Sequence, residues 1–118
     1  MQNAEKDLKK WTKAFARRII RMFVSLPGET VAQVLGKQAL RSGTSVGANY
    51  REANRARSKA GFVARIGDCL READETEYWL ELLVDEGIVS RNKMAGLLDE
   101  TGQLISILVV IGKRAKGE

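Results

Sequence analysis

Apolar residues recur three and four positions apart along nearly the whole chain, the spacing of amphipathic helices; half-buried strands would alternate at every second residue. Four segments follow. The first, from about residue 7 to 26, puts Leu8, Trp11, Phe15, Ile19, Met22, Phe23 and Leu26 on one broad face, and Pro27-Gly28 ends it. The second, 29 to 57, carries Val31, Leu35, Ala39, Ser42, Val46, Asn49, Ala53 and Ala56 along one stripe. The third, 58 to 86, begins at Ser58 as N-cap; its Phe62, Ile66, Cys69, Ala73, Thr76, Leu80 and Leu83 alternate four and three apart before Gly87 closes it. The fourth, 90 to 114, is capped by Ser90 and carries Met94, Leu97, Leu98, Thr101, Leu104, Ile105, Leu108 and Ile111, with the glycine-flanked basic tail beyond Ile111 expected to fray. Short connections make successive helices antiparallel neighbours, so the predicted fold is all-α: one up-down antiparallel four-helix bundle over residues 1–118.

The core face of the second segment is unusually small and polar. Ser, Thr, Asn and Gly each cost a helix interior a few tenths to about 1 kcal/mol relative to Ala, so something other than local propensity holds this stretch. Gly36, Gly43 and Gly47 share one side of the helix with Leu40 and Tyr50, a ridge suited to close backbone contact either inside the bundle or between subunits. Ser42, Ser45 and Asn49 need hydrogen-bond partners if buried; Glu52, Glu72, Glu75 and Thr76 are the candidates, in a structural polar network rather than a ligand site.

Composition removes whole reaction classes. The chain has no histidine, hence no Ser-His or Cys-His nucleophile pair, no Cys/His zinc site and no Glu-x-x-His di-iron bundle. Neither a Gly-x-Gly-x-x-Gly nor a Walker loop is present. Carboxylate pairs such as Glu72 with Glu75 or Glu77 with Glu81 have the spacing for a hard cation, but a helix this acidic produces such pairs by composition alone; no metal or cofactor is expected. The lone Cys69 reads as a small buried hydrophobe. The longest apolar run, Leu104 to Ile111, is far short of the roughly 20 residues of a membrane span. Arg17, Arg18 and Arg21 interrupt any signal-peptide core, and the expected location is the cytoplasm.

Charge is segregated. Residues 1–66 hold 14 Lys and Arg against 4 Asp and Glu, a net of +10, whereas residues 67–86 hold 1 against 8, a net of −7. Lys6, Lys10, Lys13, Arg17 and Arg21 form a stripe at helical spacing with Arg18 beside it, and Arg51, Arg55, Arg57 and Lys59 form a second group. Such clusters attract polyanions and bind phosphates through counterion release. A plainly solvated face accounts for either stripe alone; the two together make Lys10, Lys13, Arg17, Arg21, Arg51 and Arg55 the candidate nucleic-acid-binding residues. The acidic third segment offers a complementary surface, for pairing within one bundle or between copies.

Arg41-Ser42-x-Thr44-Ser45-Val46-x-Ala48-Asn49-Tyr50-x-Glu52-Ala53, then Ser58 and Phe62, then Glu72-Ala73-x-Glu75-Thr76-x-Tyr78-Trp79-Leu80-x-Leu82-Leu83 resembles the bacterial four-helix-bundle proteins encoded in 23S ribosomal RNA intervening sequences. The chain departs from that pattern at Gly61, where an acidic residue is usual, and in the added Gly43 and Gly47. The resemblance implies an up-down bundle assembling into a ring-shaped homopentamer. It also implies kinship with the basic accessory proteins of diversity-generating retroelements, which bind nucleic acid and a reverse transcriptase. The function expected is therefore a non-enzymatic, homo-oligomeric bundle that binds an RNA or DNA backbone. The alternatives are a scaffold for a protein partner such as a reverse transcriptase and, more remotely, a metal-dependent carboxylate enzyme.

Overall fold

The computed structural model of the protein describes residues 7–118. It holds four helices, α1 (Leu8–Val24), α2 (Thr30–Asn54), α3 (Lys59–Asp85) and α4 (Arg91–Lys116), with no strand among the described residues. Connections of five, four and five residues reverse the chain each time, giving a rod of 45 × 23 × 21 Å.

Local chemistry sets the ends. Ser58 is extended (φ −145°, ψ 160°) and its hydroxyl accepts from the Gly61 N–H at 3.0 Å; Ser90 accepts from the Lys93 N–H at 3.2 Å. Because Ser58 must leave the helical region to cap α3, α2 stops at Asn54 rather than at 57, without any Gly or Pro. Gly87 (φ +72°) and Gly117 (φ +86°) take the left-handed conformation. In each case the following residue's N–H returns to a carbonyl five residues back, Ile88 to Leu83 and Glu118 to Lys113, which satisfies carbonyls a helix end leaves open. The basic tail consequently stays helical to Lys116 rather than fraying.

The core follows α3, whose Ile66, Cys69, Ala73, Thr76, Leu80 and Leu83 are all fully buried. Burial, with a contribution from neighbouring Asp68, pushes the Cys69 thiol up to about 12, so it stays protonated and inert. Opposite lies the face of α2, whose buried residues are Ala32, Gly36, Ala39, Ser42, Gly43, Val46, Tyr50 and Ala53. Most of these step four and three apart, but the stripe is set by small residues rather than by the aliphatic ones. Val31 is exposed at 58% and its neighbour Ala32 is buried, which corrects the expected register at the start of this helix.

The reason is α1. Its Phe15 and Ile19 are fully buried, each burial worth about 1.5–3 kcal/mol, and helices carrying such side chains pack closely only against small ones. A Cβ on Gly36 would overlap Leu26 and Phe23, one on Gly43 would lie 2.8 Å from Ile19 Cγ1, and one on Gly47 would lie 3.0 Å from Thr12 Oγ1. The glycine ridge is thus filled from within the chain, by α1. Thr12 and Ile107, absent from the expected faces, are buried as well.

The family-like blocks of α2 and α3 turn out to be each other's partners. The Ser42 and Thr76 hydroxyls share a buried hydrogen bond of 2.8 Å, with the Glu72 carbonyl 2.7 Å from Thr76 Oγ1. Arg41 donates to Glu72 at 3.2 Å and to Glu75 at 2.6 Å. Ser45 bonds to a carbonyl four residues back on its own helix, and Asn49 does the same through its amide N–H while its Oδ1 accepts from Arg65 of α3 at 3.5 Å. The α2–α3 pairing is the most extensive in the bundle, and α1 and α4 barely touch.

Candidate nucleic-acid interface

Antiparallel order converts the charge blocks of the sequence into two unlike ends. The C-terminus of α2, the start of α3, the C-terminus of α4 and the first turns of α1 meet at one end of the rod. Residues 7–13, 50–62 and 111–118 there hold ten Lys and Arg against three Asp and Glu, a net of +7. Lys9, Lys113, Arg114 and Lys116 belong to this end, although sequence spacing gave no reason to join them to Arg51 and Arg55. Only the path of α4, running back alongside α3, brings them there.

Of the candidate phosphate-binding residues, Lys10, Lys13, Arg51 and Arg55 share this end, and all four are exposed. Arg17 and Arg21 are exposed too, but α1 carries Arg21 about 16 Å further along the rod than Lys10, at 1.5 Å per residue. The six therefore form two groups, Arg51 and Arg55 at the end of α2 and an axial stripe along α1 that starts near that end at Lys10 and Lys13, Thr12 between them meeting Gly47. None of the six, nor Arg57 or Lys59, makes an ion pair with a described residue. Lys6 lies outside the described residues.

Arg18 has a different role from its neighbours. Its Nε donates to Glu100 Oε1 at 2.8 Å, its Nη2 pairs with Oε2, and Trp11 Nε1 donates to the same Oε2 at 2.9 Å. The hydrogen bonds to Glu100 raise the Arg18 pKa further above its already high value. This tie is the main link between α1 and α4, and beside it runs a groove of about 590 Å³ whose lining includes Trp11, Leu98, Asp99, Gly102, Ile107 and Val110.

Carboxylates dominate α3 toward the opposite end. Glu72 and Glu75 are matched by Arg41, and Asp68 by Arg65 (3.6 Å) and Arg71 (3.1 Å). Asp74, Glu77, Glu81, Asp85 and Glu86 have no cation within ion-pair distance among the described residues. Partial burial, reinforced by Glu81 and Asp74, raises the Glu77 pKa. Among the described residues no three Cys, Asp or Glu side chains come together as metal ligands would.

The same architecture occurs in a solved structure. A protein of unknown function from the S23 ribosomal protein family of Bacteroides thetaiotaomicron VPI-5482 is 40% identical and superposes with a TM-score of 0.84, over 89% of this chain and 97% of that one. No curated protein matches this chain. The family model of the 23S rRNA-intervening sequence protein matches residues 6–110, nearly the whole described bundle. On that match, and on the fold it shares with the Bacteroides protein, the chain belongs to the 23S rRNA-intervening sequence protein family.

Proposed function

We propose that this protein is a non-enzymatic nucleic-acid-binding bundle that acts as a ring-shaped homo-oligomer, a pentamer by its family resemblance, in the cytoplasm. The observation that carries the reading is the basic end, where Lys10, Lys13, Arg51 and Arg55 stand exposed without an acidic partner among the described residues. Cations with no internal counter-charge are the groups that release counterions on meeting phosphates, giving affinity without base readout. A ring multiplies that end by the number of subunits, and Arg17 and Arg21 extend it along each α1. Two features support assembly: the apolar groove beside Trp11, which a neighbouring subunit would shield from water, and the unpaired carboxylates of α3, which complement the basic stripe of another copy.

The test is a salt series of binding titrations with structured RNA, single-stranded RNA and duplex DNA, on protein whose solution mass is known. A linear fall of log K with log salt is expected. Arg51→Glu with Arg55→Glu removes two phosphate contacts and adds repulsion, so the slope should drop by roughly 1.4–1.8 for each chain engaged, with helicity and mass unchanged. An unaltered slope places the phosphates on α1 instead. No binding at low salt refutes the nucleic-acid reading and leaves a scaffold for a protein partner, such as a reverse transcriptase.

A further inference from the structure

The basic end also contains an aromatic pocket. Tyr50 from α2, Phe62 from α3 and Ile111, Arg114 and Ala115 from α4 line a hollow of about 370 Å³, within the range of small-ligand sites, about 300–1,000 Å³. Tyr50 is only 8% exposed. Phe62 and Ile111 are half-buried and Arg114 is exposed, so the lining is mostly apolar, with one guanidinium beside it. Lys59 lies one helical turn before Phe62, on the same side of α3. The larger groove beside Trp11 has Asp99 on its lining and no Lys or Arg, and lacks this combination.

An apolar slot faced by aromatic rings and bordered by cations matches the chemistry of a single nucleobase with its flanking phosphates. Every base has a π-face, so stacking on Phe or Tyr tolerates any sequence, and arginine planes add to it. A continuous duplex keeps its bases stacked and offers only phosphates; loops, ends and single strands supply bases that can leave the stack. We propose that this pocket takes an unpaired nucleobase, so that the basic end prefers single-stranded or looped nucleic acid over duplex. The proposal deepens the phosphate-binding reading and rests on it.

The test uses the full chain, a single-stranded oligouridine carrying one 2-aminopurine, and a duplex DNA of equal length. Two variants are compared with the parent: Phe62→Ala, which opens the pocket, and Phe62→Leu, which keeps apolar volume but removes the π-face. Circular dichroism and solution mass verify folding, and Phe62→Leu carries the test if the alanine variant does not fold. Affinity of Phe62→Ala for the single strand should fall about 5- to 150-fold, the range of one base-aromatic stack, with duplex affinity unchanged. The parent should quench 2-aminopurine fluorescence on binding, and Phe62→Leu should quench it less. Equal losses on both probes, or no loss and no quenching, overturn the pocket while leaving phosphate binding standing. A parent that binds neither probe at low salt overturns both readings together.

Discussion

Replacing Gly43 with alanine adds a single methyl at a tight point of the α1–α2 contact. The new Cβ would lie 2.8 Å from Cγ1 and 2.9 Å from Cγ2 of Ile19, where ordinary contact is 3.4–4 Å. Ile19 is fully buried, so it cannot swing into solvent; either its rotamer or the whole of α1 must yield, at about 1–3 kcal/mol. Alanine also recovers about 0.8–1.0 kcal/mol of helix propensity, leaving a net loss between roughly zero and 2 kcal/mol. Gly67 supplies the control. It sits within α3 with nothing inside 4 Å of an added Cβ, so Gly67→Ala gains the propensity alone. Subtracting one variant from the other isolates the steric cost. With an unfolding entropy near 2.1 cal/mol/K per residue, a chain of 118 residues shifts about 4 °C per kcal/mol, and the two melting temperatures should differ by roughly 4–12 °C. The assay is thermal unfolding followed by circular dichroism at equal chain concentration, because any self-association would make melting concentration-dependent. A Gly43→Ala protein melting at or above Gly67→Ala would refute the close packing of α1 on the small face of α2.

The buried hydroxyl pair should behave as a unit. Thr76→Val leaves Ser42 with only the Ala39 carbonyl at 3.4 Å and should cost about 1–3 kcal/mol in denaturant unfolding; adding Ser42→Ala should recover much of it, and strictly additive losses would show the two are not coupled. Glu77 predicts a pH dependence. Its folded pKa is raised above the ordinary 4.5 by burial, Glu81 and Asp74, so the folded state holds that proton more tightly and stability through this group falls as pH rises through its titration. Glu77→Gln should therefore raise the melting temperature at neutral pH, with the gain shrinking as acidification protonates the native glutamate; a gain independent of pH would count against the reasoning.

How much the sequence revealed depended on which residues carried the signal. The core of α3 was legible in full, because Ile66, Cys69, Leu80 and Leu83 are apolar and their four-three rhythm is unbroken. On α2 the same rhythm was carried by Ala32, Gly36, Ala39 and Gly43, and hydropathy favours Val31 and Val34, which are 58% and 55% exposed. Glycines count as core only when a large partner is known to fill the space, and Phe23 and Ile19 stand on another helix. The candidate interface was legible to a similar degree. Lys10, Lys13, Arg51 and Arg55 stood out through local clustering, whereas Lys113 and Lys116 join them only through topology, and Arg18 leaves the stripe because Glu100, 82 positions away, claims it. Local spacing reveals periodic faces; it does not reveal which distant charges cancel.

The close fit on one side of α1 and the groove on its other side follow from a single packing arrangement. Large side chains at Phe15, Ile19, Phe23 and Leu26 meet the small face of α2, so α1 seats deep against that helix and correspondingly far from α4. The gap is bridged at Glu100, which accepts from both Trp11 and Arg18, and beyond that bridge the side of α4 marked by Leu98, Gly102 and Val110 stays open. A bundle with a larger residue at Gly43 or Gly47 would push α1 back toward α4 and close the groove. Gly43 and Gly47 therefore act twice, once in the stability of the single chain and once in the width of the groove between α1 and α4. The basic end remains outside this arrangement, since its cations lie on the exposed sides of α1, α2 and α4. Arg51 and Arg55 lie outside the groove, so their charge reversal should leave any self-association through it intact, whereas reversal along α1 would disturb both roles proposed for that stripe.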